Sequence, residues 1–218
     1  MKSIEALNHI YTHQIVAILR GIAADKAHDV AAALAEGGVK TLEITLNSPK
    51  ALRVIEHLAD TLGSDVLIGA GTVLDAESAR AAIYAGARFI LSPTLDLATI
   101  QMTRRHGAVS IPGAFTPTEI LNAYTYRGDI IKVFPATAAL DFIKDIKGPL
   151  PHIPIMPTGG VGLDNIQAFK KVGAVAFGIG SALVDAKQTI NAAYLKQLTR
   201  KAQQFVEAIH PKTHAHVQ

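Results

Sequence analysis

Residues 130–135 read Ile-Ile-Lys-Val-Phe-Pro, an apolar run interrupted by the single charge of Lys132. Short runs of this kind, rich in β-branched residues, are typical of β-strands. Since side chains alternate between the two faces of a strand, Lys132 shares one face with Ile130 and Phe134. The run therefore predicts a strand, and the fold follows from how often such a run recurs.

Further runs of the same type alternate with segments rich in alanine and leucine, which are typical of helices. The predicted strands span residues 15–19, 41–46, 67–70, 89–91, 109–111, 130–134, 153–156 and 174–179. The predicted helices span residues 25–36, 49–61, 76–85, 97–106, 117–124, 139–147, 163–171 and 190–210. The units recur at intervals of roughly 20–26 residues, a spacing typical of short strand–helix units.

Residues that favour helix ends support these boundaries. Asp75 and Thr116 each precede a predicted helix and are suited to cap its first turn. Glycines that follow predicted helices are expected to end them in the left-handed conformation; they are Gly37, Gly38, Gly86, Gly107, Gly128 and Gly173.

Eight parallel strands that each lead into a helix close as a (β/α)8 barrel. We therefore expect an α/β protein with a single domain over residues 1–218, a TIM barrel with an extra amphipathic N-terminal helix at residues 4–12. Residues 211–218 are expected to form a flexible tail. The alternative is an open doubly wound sheet, which more often carries a glycine-rich dinucleotide turn after its first strand. The sequence RGIA at 20–23 is not such a turn.

The composition limits the class of protein. The 218 residues are 49% apolar and 18% charged, which favours a folded core over a disordered chain. The net charge is +3 with dispersed basic residues, so no nucleic-acid partner is expected. No uninterrupted apolar segment predicts a secretory signal or a membrane span, so the expected location is cytoplasmic. The chain lacks cysteine, which excludes disulfides and thiolate chemistry.

Histidine and acidic residues do not recur at the spacing of metal ligands. His210, His214 and His216 lie in or beside the polar tail, where an adventitious metal contact is the alternative to a frayed terminus. We therefore expect neither a metal ion nor another cofactor.

Lys132 is the first candidate for chemistry. Burial costs an ammonium group its hydration, so a buried lysine becomes less basic. A free amine near neutral pH is a nucleophile toward carbonyl groups and can form an imine. The alternative is a lysine on an edge strand whose side chain reaches solvent. This strand by itself leaves both interpretations open.

Glu43 is the second candidate, in the predicted strand at 41–46. Leu42 and Ile44 share the face expected to pack under the helices, so Glu43 points into the barrel. A carboxylate there either pairs with a cation or has a raised pKa. Glu43 could transfer protons while Lys132 supplies the amine. The alternative is a buried ion pair between the two without chemistry.

In a (β/α)8 barrel, the active site lies at the carboxyl ends of the strands. Gly159 and Gly160 follow the seventh predicted strand, and Gly180 and Ser181 end the eighth, where this fold often binds phosphate. Glycine lets the backbone approach an anion closely, although diglycines are also common in turns. Arg20 ends the first predicted strand and could hold a carboxylate, or lie on the surface in solvent.

With these residues in place, the chain resembles the class I 2-keto-3-deoxy-6-phosphogluconate aldolase family, which includes the phosphogalactonate aldolases. The resemblance covers nearly the whole chain. Eight short segments match in order: VAILRG at 16–21, EITLNSP at 43–49, IGAGTVL at 68–74, SP at 92–93, IPG at 111–113, IKVFPA at 131–136, PTGGV at 157–161 and GIGS at 178–181.

The resemblance implies roles for individual residues. Lys132 matches the Schiff-base lysine and Glu43 the general acid and base. Thr72 and Pro93 match positions near the pyruvyl group, and Phe134 lines the site. The positions that match the distal and phosphate-binding region are Thr158, Gly159, Gly160 and Ser181.

One position departs from the gluconate branch of the family. Members of that branch often carry an arginine for the substrate carboxylate four residues after the glutamate, and Asn47 stands there. The LNSP and LRG segments look more like the galactonate branch, in which the arginine after the first strand, here Arg20, holds the carboxylate. The preferred sugar acid stays open, because stereochemistry at C4 separates the two substrates.

The resemblance implies a lyase that cleaves a 2-keto-3-deoxy-6-phospho sugar acid to pyruvate and glyceraldehyde 3-phosphate, as in Entner–Doudoroff metabolism. Activity on 4-hydroxy-2-oxoglutarate stays open. The family also implies a homotrimer that binds a small-molecule substrate and neither nucleic acid nor membrane. Two alternatives remain: a sugar-phosphate isomerase or epimerase in which Lys132 acts only electrostatically, and a non-catalytic barrel that binds phosphorylated metabolites.

Overall fold

The computed structural model describes residues 3–211 as an α/β fold with a curled, parallel sheet. The strands are β1 (Ile15–Leu19), β2 (Thr41–Thr45), β3 (Leu67–Gly71), β4 (Phe89–Leu91), β5 (Val109–Ile111), β6 (Gly113–Ala114), β7 (Ile131–Val133), β8 (Ile155–Pro157) and β9 (Phe177–Ile179). The helices are α1 (Ser3–His13), α2 (Ala27–Glu36), α3 (Ala51–Thr61), α4 (Ala76–Tyr84), α5 (Leu97–Arg105), α6 (Pro117–Thr125), α7 (Leu140–Lys147), α8 (Ile166–Lys171) and α9 (Ala192–Ile209).

The strands pair in parallel in the orders β5-β4-β3-β2-β1-β9 and β6-β7-β8. Pro112 separates β5 from β6, since its ring nitrogen carries no hydrogen for a ladder bond. Its carbonyl oxygen still accepts a hydrogen bond from the backbone N–H of Lys132 at 2.9 Å. A parallel bridge between Thr158 and Gly178 links the other edge of the smaller sheet to β9. These contacts bring the two sheets together into one curled layer, as in TIM-like folds.

Two clusters of apolar side chains lie on the two faces of this layer. The outer cluster joins Leu42 and Ile44, on the face predicted for them, to residues of the surrounding helices. The inner cluster is closed by α1 and consists of Ala6, Ile10, Val16, Leu67, Phe89, Leu91, Val109, Ile111, Ile130, Met156 and Ala176. An open doubly wound sheet would pack helices on both faces, whereas here the inner face packs on itself and on α1.

The helix ends follow the predicted chemistry with two exceptions. The side chain of Asp75 accepts a hydrogen bond from Ser78 N at 2.6 Å, and Thr116 forms a capping box with Glu119.

The left-handed conformation predicted for Gly37 and Gly128 was wrong. Gly37 has φ −73°, and the left-handed residue there is Gly38. Arg127 takes the left-handed conformation before Gly128, with φ 71°. Glycine is needed at position 128 for a different reason: a Cβ there would lie 2.7 Å from Pro112 Cγ.

Within residues 3–211, no helix is both long and apolar enough to span a bilayer. The same residues contain no group of three histidine or acidic side chains able to hold a metal ion. His210 follows α9 and is exposed. His214 and His216 lie outside the described residues, as does the predicted tail beyond Pro211.

Candidate active site

A cavity of about 390 Å³ opens at the carboxyl ends of the strands. It is lined by Ile18, Arg20, Lys132, Phe134, Thr158, Gly159, Gly160, Val161, Gly180, Ser181, Ala182, Val184, Asp185, Ala186 and Lys187. Residues that are far apart in the chain meet here because parallel strands all end at one edge of the sheet. We refer to it below as the cavity.

Lys132 occupies the middle of β7 and is only 4% exposed. Burial lowers the pKa of its amine below the ordinary value, and the charge of Arg20 adds to this effect. The Glu43 carboxyl opposes the shift without forming a direct salt bridge to Lys132. The Nζ atom lies 4.9 Å from the centroid of the Phe134 ring. Lys132 therefore presents an amine of reduced basicity to the cavity, beside an aromatic face that attracts a cation.

Glu43 lies in the middle of β2 and is 1% exposed. No donor among residues 3–211 hydrogen-bonds to either of its carboxylate oxygens. Burial raises the pKa of Glu43, and the positive charges of Lys132 and Arg20 only partly offset this. A buried carboxyl without donors is stable only when protonated or when a solvent molecule reaches it. The site therefore pairs a lysine of lowered pKa with a glutamate of raised pKa, and perturbed pairs of this kind cluster at functional sites.

Gly71, at the end of β3, makes room for Glu43. A Cβ at this position would overlap the carboxyl group of Glu43. Thr72 follows in the left-handed region with φ 55°, an uncommon conformation for a β-branched residue. Strained backbone of this kind concentrates at functional sites, where surrounding contacts maintain it. The end of β3 is thus shaped around the carboxyl group of its neighbouring strand.

Arg20 is held by groups at the end of β2. Its Nη1 donates to Asn47 Oδ1 at 3.0 Å, and the adjacent Gly21 N donates to Ser48 Oγ at 2.8 Å. Ser48 Oγ also shares a hydrogen bond with Thr45 Oγ1 at 2.8 Å. The contact with Asn47 uses one guanidinium N–H, and the remaining donors stay available for an anion.

Another part of the cavity wall is built from glycines. Gly159 and Gly160 adopt φ values of 79° and 78°, a left-handed conformation that favours glycine. Because they have no side chains, their backbone is open to the cavity. Gly180 and Ser181 approach from β9. Thr158 is 2% exposed, and no partner within the described chain bonds to its hydroxyl. Such a surface offers backbone N–H groups and a hydroxyl without crowding a ligand.

The structure gathers most of the predicted site residues but not all. Eight of them line the cavity: Arg20, Lys132, Phe134, Thr158, Gly159, Gly160, Gly180 and Ser181. Glu43 is buried behind this lining and is coupled to Lys132 electrostatically. Thr72 and Pro93 are not among the lining residues. Pro93 is half-buried, and its carbonyl group lies where a Cβ on Gly113 would overlap or crowd it.

Sequence reasoning missed several contributors. Asp185 and Lys187 also line the cavity and lie four and six residues after Ser181. A search of the whole loop after the eighth predicted strand would have found them. Gly71 and Asn47 were noted only as parts of matching segments. Their contacts depend on how neighbouring strands pair, and no spacing along the chain encodes that pairing.

Comparison with known proteins supplies the family. Residues 7–200 match the family model described as KDPG and KHG aldolase. A probable 2-dehydro-3-deoxy-6-phosphogalactonate aldolase of Rhizobium meliloti is 37% identical over 171 residues, which are 78% of this chain and 81% of that protein. The 2-dehydro-3-deoxy-6-phosphogalactonate aldolase of Escherichia coli K12 is 33% identical over 196 residues, 89% of this chain and 93% of its own.

A solved structure is also similar. The KDPG aldolase of Legionella pneumophila, with pyruvate captured as a covalent carbinolamine intermediate, has a TM-score of 0.80 and 26% identity. The alignment covers 91% of this chain and 96% of that one. The match of the family model over most of the chain agrees with the shared fold and with the eight segments of the sequence. The chain belongs to the KDPG and KHG aldolase family.

Proposed function

We propose that this protein is a class I aldolase that cleaves a 2-keto-3-deoxy-6-phospho sugar acid to pyruvate and glyceraldehyde 3-phosphate. The observation that carries the proposal is Lys132, 4% exposed yet lining a cavity, with a pKa lowered by burial. A lysine in this state is a nucleophile, and the family includes a member captured as a carbinolamine with pyruvate.

The reaction begins when the Lys132 amine adds to the C2 ketone and forms a carbinolamine. Loss of water leaves a protonated imine, which withdraws electrons from the neighbouring C3–C4 bond. That bond breaks once the C4 hydroxyl loses its proton; its electron pair forms an enamine, and C4 becomes the aldehyde of glyceraldehyde 3-phosphate. Protonation at C3 and hydrolysis of the imine then release pyruvate and restore the amine.

Glu43 moves the protons in this sequence. It accepts the C4 hydroxyl proton through a water molecule and later returns a proton toward C3. The raised pKa of Glu43 suits this role, because its carboxyl group binds a proton more readily than that of an exposed glutamate. The Phe134 face beside Nζ stabilises the positive charge of the imine.

The ends of the cavity position the substrate. Arg20 and Thr72 hold the carboxylate, and Pro93 borders the pyruvyl group. Gly159, Gly160, Gly180 and Ser181 hold the phosphate through backbone and hydroxyl donors. The distal hydroxyl groups lie against Thr158.

Several finer features belong to the proposal. The galactonate epimer is the preferred substrate, supported by Asn47 in the place of an arginine, by the Arg20–Asn47 contact, and by the names of the two relatives above. The curled sheet acts as a closed (β/α)8 barrel with α1 as an additional helix. The active protein is a homotrimer, and it works in the cytoplasm, where phosphorylated sugar acids of Entner–Doudoroff metabolism are held by their charge.

Borohydride reduction in the presence of pyruvate tests the mechanism. It should attach a reduced pyruvyl group to Lys132, identified by peptide mass spectrometry. Lys147 is an internal control: burial also lowers its pKa, but its ammonium donates to carbonyl oxygens of Pro151 and Ile153 at 3.1 and 2.9 Å. An adduct on Lys147 alone, or none at all, would contradict the proposal and favour an isomerase, an epimerase or a binding protein.

Comparing cleavage of the two C4 epimers tests the substrate. We expect a higher kcat/KM for 2-keto-3-deoxy-6-phosphogalactonate than for the gluconate epimer. Equal kcat/KM values would mean that the site does not discriminate the configuration at C4. A higher value for the gluconate epimer would contradict the preference for the galactonate epimer. The same assay with 4-hydroxy-2-oxoglutarate decides whether that shorter acid is also cleaved.

A further inference from the structure

We propose that Lys187 is a specificity-determining residue that binds the phosphate end of the substrate, an inference that rests on the proposed function. Lys187 lies in the loop after β9 and lines the same cavity as Gly159 and Gly160. Neither the matching segments nor the spacing of the chain indicated it.

Two of the cationic side chains around the cavity already have roles in the proposed function. Among the described residues, the cationic side chains that line it are Arg20, Lys132 and Lys187. Arg20 holds the carboxylate and Lys132 forms the imine, which leaves Lys187 for the phosphate. Glycine N–H groups direct a phosphate but carry no net charge, so a phosphate dianion gains most from a nearby ammonium.

Asp185 would oppose an anion unless its carboxylate were engaged. Its Oδ1 accepts from Lys187 N at 3.0 Å, and its Oδ2 accepts from Gln188 Nε2 at 3.3 Å. These hydrogen bonds hold the pKa of Asp185 below its ordinary value, with help from the charges of Lys187 and Lys201. The carboxylate thus organises its own loop and partly balances the charge of Lys187.

Tyr194 attaches the loop to α9. Its hydroxyl accepts from Asp185 N at 3.0 Å and donates to Asp185 O at 3.2 Å. Its own backbone N–H is bound by Asn191 Oδ1 at 3.0 Å, which caps the helix. The backbone that carries Lys187 is therefore held on one side by a helix and on the other by β9. Within the described part of the chain, the Lys187 ammonium itself has no hydrogen-bond or salt-bridge partner.

Lys187→Gln tests the proposal against a matched control, Lys201→Gln. Lys201 also interacts with Asp185 but lies in a separate groove, so its change alters the same charge outside the cavity. For Lys187→Gln we expect KM for the phosphorylated substrate to rise about tenfold with kcat nearly unchanged. The inhibition constant of inorganic phosphate should rise in parallel. KM for the unphosphorylated 2-keto-3-deoxy acid should not change, and Lys201→Gln should alter none of these values.

The outcomes separate this inference from the proposed function. Pyruvate lacks the phosphate, so borohydride trapping on Lys132 should be the same in Lys187→Gln and in the wild type. An unchanged KM for the phosphorylated substrate, or an equal rise for both substrates, would overturn the role of Lys187 while leaving the aldolase proposal intact. Failure of trapping in the wild type would overturn the aldolase proposal itself.

A double-mutant cycle tests how the loop is held. Tyr194→Phe removes the hydroxyl that bonds to both backbone groups of Asp185, and it should raise KM for the phosphorylated substrate severalfold. The same change in the Lys187→Gln background should have a much smaller effect. Additive effects would show that Tyr194 does not act through Lys187 and would contradict its role in positioning that lysine.

Discussion

The inner cluster and the cavity occupy the same sheet face but have opposite properties. Phe89, Val109 and Ile130 in the inner cluster are fully buried apolar side chains that pack against Ile10 of α1. The cavity, toward the carboxyl ends of the strands, contains ionisable and hydrogen-bonding groups whose partners are incomplete. The inner cluster stabilises the fold by excluding water, whereas the buried polar groups of the cavity destabilise it.

The chain segment around β7 crosses from one region to the other within five residues. Ile130 belongs to the inner cluster, Lys132 is the buried amine, and Phe134 lines the cavity beside it. All three side chains are on one strand face, two residues apart. Apolar packing directly below a reactive amine fixes its position. If the two regions are independent, changes in the cavity should alter activity, and changes in the inner cluster should alter stability.

Loss of the amine should have the largest effect. Lys132→Met should lower kcat/KM by roughly 10⁴-fold or more, because the variant lacks the buried amine that forms the imine. Steady-state assays with the phosphorylated substrate measure it. Lys147→Met, a change at another lysine with a lowered pKa, should retain cleavage. A kcat/KM of Lys132→Met within a hundredfold of the wild-type value would show that Lys132 does not form the imine.

Damage to the inner cluster should affect stability instead. Ile10→Ala leaves a void between α1 and the sheet and should reduce the free energy of unfolding by about 2–5 kcal/mol. Urea denaturation measures this loss. Ile4→Ala on the same helix is the control, because Ile4 is 67% exposed and should cost little. A fall in kcat of folded Ile10→Ala would show that the two regions are coupled more tightly than we propose.

The boundary between the two regions is sensitive at Gly71. Gly71→Ala introduces a methyl group into the space of the Glu43 carboxyl, and we expect kcat to fall by about 100-fold with a smaller change in KM. Gly148→Ala, at an exposed site with a right-handed φ of −60°, is the control. Adding Glu43→Asp to Gly71→Ala should restore part of the activity, because the shorter side chain vacates that space. No recovery would indicate general damage to the fold.

The energetic cost of the paired groups should appear as a gain in stability when both are removed. Glu43→Gln with Lys132→Met should unfold with about 1–4 kcal/mol more free energy than the wild type at pH 7.5. The pKa of Glu43 is raised above 4.5, so its stabilising contribution is lost as pH rises above that value. The pKa of Lys132 is lowered from 10.5, so its contribution is lost as pH falls below that value.

Both penalties therefore coincide only between these two pH limits. The Lys132→Met background isolates the Glu43 penalty, because only Glu43 of the pair still titrates there. Chemical denaturation at pH 7.5 and at pH 5.0 should show that the stability gained by adding Glu43→Gln to Lys132→Met is smaller at the lower pH, where Glu43 is more fully protonated. A gain that grew on acidification, or a wild type more stable than the double variant at pH 7.5, would contradict the shifts assigned to the pair.

Much of this arrangement could be predicted from local patterns. The alternation of side chains along 41–46 directed Glu43 inward, and the alternation along 130–134 put Lys132 on one face with Ile130 and Phe134. Glu43 and Lys132 both prove to be buried. The cap residues Asp75 and Thr116 marked the true starts of α4 and α6. These features depend on residues that are close together in the chain, so local sequence patterns are enough to predict them.

Other features could not be predicted because they depend on packing between strands. The strand predicted at 109–111 is β5, but the short strand β6 that follows Pro112 was not predicted. The strand predicted at 130–134 shortens to the three residues of β7. The strand predicted at 153–156 begins only at Ile155, after Pro154, which has no backbone N–H. The roles of Thr72 and Pro93 near the pyruvyl group stay predictions.

The order of residues determined the family, the strand–helix alternation and the identity of the two ionisable groups, because periodicity and short motifs are properties of the chain itself. Only the tertiary structure decided that Gly71 yields space to Glu43, that Asn47 holds Arg20, and that Lys187 stands at the cavity rim. These relations arise where strands and loops distant in sequence are brought together, and the free energies of burial and charge at such contacts exist only after folding.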